Sequence, residues 1–222
     1  GAYGELHGDG IRTHALASFA LGELAVDAGS VDADKAWQGH LQRMADNAAF
    51  TPELPSTLQA ELRDYQIDGF QWLARLAHWG VGACLADDMG LGKTLQALAL
   101  LLDRAKDGPA LVVAPTSVCL NWIDEAKRFA PTLNLTFFGP GERAATIENA
   151  GPFDVIVASY GLLQLEAPLF ANKHWHTMVL DEAQAFKNAA TRRSQAVMAL
   201  RGDFRMIATG TPLENHLGEL WN

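Results

Sequence analysis

The ten residues from Leu85 to Thr94 read LADDMGLGKT; they take a short apolar run, VGACLA (81 to 86), into a Leu-rich helical pattern that opens at Lys93. Strand, glycine-bearing loop and helix in that order have a chemical meaning. Glycines let backbone amides approach phosphate oxygens, and a helix N-terminus adds the positive end of its dipole. Lysine can then reach β and γ phosphates, and a threonine hydroxyl can ligate Mg2+. In the signature G-x-x-x-x-G-K-[ST] the first glycine would fall at Asp87, so the match is incomplete. The mechanism survives, because the amides nearest the phosphates come from Gly90, Leu91, Gly92, Lys93 and Thr94. A chance Gly-Lys-Thr at a turn is the alternative, and the ordered elements weigh against it.

A phosphate loop that supports hydrolysis needs a carboxylate for magnesium and a group that orients water. About ninety residues downstream, VLDEAQ supplies both. Asp181 suits an outer-sphere role on Mg2+, and Glu182 suits polarising the water that attacks the γ phosphate. Two acids that merely cap a strand end are the competing reading. Gln184 either faces the γ phosphate or begins the next helix.

These clusters act together only if the fold brings them to one edge. The apolar runs ALVVAP (110 to 115), DVIVAS (154 to 159), TMVLDE (177 to 182) and RMIATG (205 to 210) join VGACLA as buried strands with polar residues at their carboxyl ends. LNLTFF (133 to 138) is a further strand candidate. Helical patterns lie between them: Lys93 to Lys106, and the stripe Trp122, Ala126, Phe129. Upstream, Ile67, Phe70, Ala74 and Ala77 mark an amphipathic helix that Gly80 terminates. The alternation predicts an α/β fold, a mostly parallel doubly wound sheet with helices on both faces, whose ligands gather beyond the carboxyl ends of the strands.

Composition sets the outer limits. A chain of 222 residues, 49% of them hydrophobic, can bury a full core and reads as one soluble globular domain plus an appendage. Cys84 and Cys119 sit in apolar runs with no C-x-x-C spacing, which predicts buried thiols in a reducing compartment, without disulfide or zinc. The longest apolar run, Ala97 to Leu102, is far short of the ~20 residues that span a bilayer, and no signal segment opens the chain. A cytoplasmic location and no membrane partner are therefore expected. The formal net charge of -9 counts against a stand-alone nucleic-acid binder. Ahead of the boundary marked by Pro52 and Pro55, Trp37, Leu41 and Met44 form one helical face, and Gly1 to Gly10 reads as a loop or ragged end. Residues 1–54 are thus expected to be a helical lead-in, the tail of a preceding domain, and 55–222 the α/β domain.

Taken in order, DDMGLGKT, APTSVCLNW, ASYGLL, LDEAQAFKN and TGTPLENHLGELW resemble the motifs of the first RecA-like lobe of the Swi/Snf-type ATPases of helicase superfamily two. AELRDYQIDGFQWL upstream is similar to that family's adenine-side motif. The resemblance runs from Leu58 to Trp221 and points to the bacterial HepA/RapA-like branch. The family commonly lacks the first P-loop glycine, which accounts for Asp87.

The resemblance implies a RecA-like P-loop lobe that uses ATP and Mg2+, in a motor that translocates on double-stranded DNA or remodels a DNA-bound protein complex. Position by position, Gln66 would read the adenine edge with help from Arg63 and Tyr65. Lys93 and Glu182 would be catalytic, and Thr94 and Asp181 would serve the metal. Thr116 and Ser117, then Ser159 and Tyr160, would meet nucleic-acid phosphates through amides and hydroxyls, with Arg143 as a further contact; ordinary helix caps are the alternative. Gln184, Thr209 and Thr211 would couple nucleotide state to the nucleic-acid groove. No second-lobe motif follows, so the arginine finger, typically worth ~10³ to 10⁵ in rate, has no candidate. Such a lobe is expected to bind Mg-ATP and to hydrolyse it poorly until a second RecA-like lobe joins. Two rivals stand beside this reading: a nucleotide-gated protein interaction module, and another RecA-like P-loop ATPase. His174 and His176, in a loop-like stretch, lack the further ligands that a metal site needs and read as exposed or packing residues. Lys127 and Arg128 read as the solvated face of their helix.

Overall fold

The computed structural model describes residues 5–7, 10–12, 50–80, 82–86, 92–139, 141–183 and 191–209. The chain divides into two compact units, Gly1–Thr51 and Pro52–Asn222.

In the first unit, β1 (Glu5–His7) pairs antiparallel with β2 (Gly10–Arg12), with Glu5 opposite Arg12 and Leu6 opposite Ile11. At Glu5–His7 and Gly10 this corrects the loop reading of Gly1 to Gly10. The signal was the Gly8-Asp9 pair between two short runs, a two-residue hairpin connection. The helical face of Trp37, Leu41 and Met44 lies outside the described residues.

The second unit is built on six parallel strands in the order β3-β8-β7-β4-β6-β5. They are β3 (Ala83–Ala86), β4 (Ala110–Ala114), β5 (Asn134–Phe137), β6 (Asp154–Ser159), β7 (His174–Asp181) and β8 (Arg201–Thr209). Continuous apolar runs such as LVVA suit strands covered on both faces, and β4 is buried at every position. Successive side chains alternate between faces. Val112 and Ala114 join one hydrophobic cluster with Phe70, Leu98 and Trp122, whereas Leu111 and Val113 join another with Leu163, Phe170 and Trp175.

Helices α1 (Asp64–Trp79), α2 (Lys93–Arg104) and α3 (Thr116–Phe129) supply the first cluster. The second is supplied by the short helices α4 (Arg143–Glu148), α5 (Tyr160–Leu165), α6 (Ala167–Asn172) and α7 (Arg192–Met198). The doubly wound sheet expected from the alternation is therefore present. LNLTFF supplies β5, a half-exposed strand at the sheet edge. α1 ends at Gly80, whose left-handed φ of 74° closes the helix with an N–H bond to the Ala77 carbonyl. α2 stops at Arg104 and tightens into a 3-10 turn, Ala105–Asp107. His174 and His176 open β7 instead of lying in a loop. Both pair with Asp203 of neighbouring β8, at 2.7 Å each. Among the described residues no helix is long and apolar enough to cross a membrane, and both cysteines are free thiols.

Candidate nucleotide site

Parallel pairing in register brings the chemistry to one edge. Along that edge, Ala208 of β8 lies opposite Leu85 of β3 on one side and Asp181 of β7 on the other. With neighbouring strands about 4.8 Å apart, the run into Gly92-Lys93-Thr94 and the carboxylate of Asp181 stand two strands apart. β7 and β8 begin exposed and end buried, so the carboxyl edge is the enclosed one.

Gly92 is the N-cap of α2 with φ of 102°, a left-handed conformation that glycine adopts without strain. The space a side chain would need is taken: a Cβ there would overlap the Gln66 amide nitrogen. Gln66, buried on α1, receives the Arg63 N–H at its Oε1, 2.9 Å away. A residue read as adenine-facing thus lies against a glycine read as phosphate-facing. Gly69 makes the same helix fit close, because a Cβ there would overlap the Gln96 side chain of α2. Arg63, Tyr65, Gln66, Gly92 and Thr94 line an open cleft of about 510 Å³, within the range of small-molecule sites. Leu95 and, from α3, Asp124, Glu125, Arg128 and Phe129 line it as well. These were missed: Arg128 and its neighbours read in sequence as a solvated helix face, and only the packing of α3 beside α1 and α2 turns that face towards a cleft.

Lys93 is the first residue of α2 and is buried. Its charge is close enough to Asp181 to favour that carboxylate's ionised form. Asp181 is 8% exposed, and burial pushes its pKa up; bonds from Trp122 and from the Glu182 N–H, and the Lys93 charge, oppose that rise. Trp122 Nε1 donates to Oδ2 at 2.8 Å, and the Glu182 N–H donates to Oδ1 at 2.9 Å. Glu182 itself has φ of 51°. A left-handed glutamate is uncommon, and such strain concentrates at functional positions. Burial likewise pushes the Cys119 thiol up to about 11, with the Asp181 charge adding to it. Glu125 is raised by burial and then by Asp181, with Arg128 opposing.

The expected nucleic-acid residues divide. Thr116 and Ser117 are exposed at the start of α3, where Pro115 is the N-cap, so neither hydroxyl is used as the cap. Ala114 pairs with Ser159, which places the starts of α3 and α5 at neighbouring strand ends. The hydroxyls of Ser159 and Tyr160 are both engaged within the fold. Ser159 is buried and its Oγ accepts the Leu162 N–H at 3.2 Å, capping α5. Tyr160 is 2% exposed and its hydroxyl donates to the Asp181 carbonyl at 2.7 Å. The cap reading, weighed as an alternative, describes Ser159. Arg143 donates from Nε to the Gly139 carbonyl at 2.9 Å and forms an ion pair with Glu166 at 2.7 Å, so its guanidinium is engaged within the fold. Thr209 is fully buried at the end of β8. Gly90, Leu91, Gln184 and Thr211 lie outside the described residues.

The donor set fits a magnesium nucleotide. A buried lysine and a threonine stand at a helix N-terminus, with a fixed carboxylate two strands away and a cleft of nucleoside size beside them. Among the described residues, no group of three or more His, Cys, Asp or Glu side chains is arranged to hold a metal ion by itself. Any magnesium there would rest chiefly on phosphate oxygens, water and one or two protein ligands, the usual state of that ion.

Comparison with known proteins agrees with this arrangement. The model of the SNF2-related domain matches residues 65–222. The Bacillus subtilis (strain 168) protein YwqA is 44% identical over 176 residues, 75% of this chain and 19% of that protein. The chromatin-remodeling ATPase INO80 of Schizosaccharomyces pombe is 37% identical over 189 residues, 78% of this chain and 12% of that protein. The Sulfolobus solfataricus SWI2/SNF2 ATPase core in complex with dsDNA superposes with a TM-score of 0.69 at 39% identity, over 78% of this chain and 36% of that one. The chain thus spans a fifth or less of these curated relatives' length. With its RecA-like sheet, its ordered motifs and a match over most of its length, this chain belongs to the SNF2-related domain family.

Proposed function

We propose that this chain is the nucleotide-binding lobe of an ATP-dependent motor that moves on double-stranded DNA. The observation that carries the reading is the meeting of Lys93, Asp181 and Glu182 at one enclosed sheet edge beside the cleft of Gln66 and Gly92. Lys93 would hold the terminal phosphates, and Thr94 and Asp181 would hold magnesium, directly or through water. Bound magnesium would neutralise charge that develops on the transferring phosphoryl group. Glu182 would orient the attacking water and take its proton. Arg63, Tyr65 and Gln66 would hold the base. Thr116 and Ser117 would contact sugar-phosphate, contacts that position without reading sequence.

Because the chain spans 36% of the Sulfolobus core, we assign the charge-neutralising arginine to protein outside it, in a second RecA-like lobe. The test is binding of fluorescent ADP with and without Mg2+, together with ATP turnover with and without duplex DNA, using Glu182→Gln as the blank. Binding with slow turnover fits the reading, whereas fast turnover by the chain alone would overturn the assignment of the arginine. The formal net charge of -9 favours a second reading, a nucleotide-gated protein interaction module. Unchanged duplex affinity in Thr116→Ala/Ser117→Ala would move the reading there.

A further inference from the structure

Asp181 is held from both faces of the sheet. Its side chain points to the face occupied by α1, α2 and α3, where the Trp122 indole N–H reaches Oδ2 at 2.8 Å. Its backbone carbonyl is reached by the Tyr160 hydroxyl at 2.7 Å, from a ring packed in the opposite cluster. The third donor is local, the Glu182 N–H on Oδ1 at 2.9 Å. All three groups are enclosed: Trp122 is 1% exposed, Tyr160 2% and Asp181 8%. Each carboxylate oxygen thus carries one donor, which fixes the side-chain torsion and leaves lone pairs on both oxygens unused by these bonds. A tyrosine bond to the main chain fixes the height of the same residue at the end of β7.

Resting on the reading of Asp181 as a magnesium-serving carboxylate, we infer that Trp122 and Tyr160 are positioning residues for it, together setting its orientation and hence the affinity of the site for the metal. Packing alone would not require the polar bonds, since an apolar ring of the same shape would fill either space. The bonds matter because a carboxylate in a closed site must be aimed before the metal arrives, and partners behind a ligand typically change metal affinity by about 10-fold to 100-fold. Trp122 lies six residues into α3, which starts at Thr116, and Tyr160 is the first residue of α5. A displacement of either helix therefore moves a donor of Asp181.

The test compares the whole chain with Trp122→Phe and Tyr160→Phe. Fluorescent ADP affinity is measured in EDTA and in saturating Mg2+, and Mn2+ binding to the ADP complex is followed by electron paramagnetic resonance. The expected result is ADP affinity in EDTA within about twofold of the unaltered chain, with Mn2+ affinity lower by about 10-fold or more in Trp122→Phe and by a smaller factor in Tyr160→Phe. Should Trp122→Phe fail to fold, benzothienylalanine at position 122 keeps the indole shape and replaces only the N–H, so the same comparison decides. Mn2+ affinity equal to that of the unaltered chain in the tryptophan and tyrosine variants would overturn the inference and leave the nucleotide reading standing. Failure of the unaltered chain to bind ADP or Mn2+ would overturn both.

Discussion

At the residue scale the informative position is Glu182. Its left-handed φ of 51° is a conformation that costs a non-glycine residue about 1–2 kcal/mol. On the proposed reading that Glu182 takes the proton of the attacking water, removing the carboxylate should lower turnover about 10²-fold to 10⁴-fold whatever replaces it, the usual share of a general base. Stability should separate the replacements. Glu182→Gly is expected to be more stable than Glu182→Ala by about 1 kcal/mol, because glycine meets no Cβ penalty there. Paired urea titrations check this, and an alanine variant as stable as the glycine one would remove strain from the account. Gly92 makes the complementary case: with φ of 102° and Gln66 in the space of its Cβ, Gly92→Ala should weaken fluorescent ADP binding at least several-fold. Sequence showed both residues by type. Their backbone conformations were not legible, because a loop motif states which residues occur and not which φ the neighbouring strands impose.

At the element scale, α2 begins at Lys93 and packs its leucines into the core. Leu98, Leu100 and Leu101 are all essentially inaccessible to solvent, so Leu98→Ala should cost about 2–5 kcal/mol, read as a lowered denaturant midpoint. Its ADP affinity, measured below the melting range, should stay near that of the unaltered chain; a large loss would mean that α2 transmits packing defects to Lys93. The amino ends of β7 and β8 carry a pH-dependent clasp. Burial would raise the Asp203 carboxyl, yet the bonds from His176 and His174 and their charges hold it below the usual carboxylate range. A depressed acid stabilises the fold above its unfolded value of about 3.9 and loses that contribution as pH falls through the lower folded value. The side chain is 48% exposed, so screening limits the effect to about 0.2–1 kcal/mol. Asp203→Asn should therefore lower stability slightly at pH 6, and the difference should vanish once the pH lies below the carboxyl's depressed folded range. A difference that persisted there would exclude the clasp as its origin. These histidines read as loop residues because the polar start of β7 breaks the apolar run; only the ladder to β8 shows a strand.

At the scale of the whole molecule, binding and folding are linked. A ligand that binds the folded chain alone stabilises it by about 2.7 kcal/mol at a hundred times its dissociation constant. Mg-ADP should thus raise the melting temperature of the unaltered chain and leave that of Lys93→Ala unmoved, and an equal shift in both would place the nucleotide elsewhere. What the sequence by itself determined was the alternation of elements, the identity of Lys93, Thr94, Asp181 and Glu182, and the family. Those follow from local order: a buried parallel strand must be continuously apolar, and a phosphate loop must combine glycine, lysine and a helix start. Tertiary structure alone decided that α3 lines the candidate nucleotide cleft, that Tyr160 and Ser159 turn their hydroxyls inward, and that Arg143 pairs with Glu166. Each of those outcomes depends on which strand lies beside which. The order β3-β8-β7-β4-β6-β5 sets β3 beside β8 and β4 beside β7, strands far apart in the chain, and no local pattern of residues encodes the neighbour across a sheet.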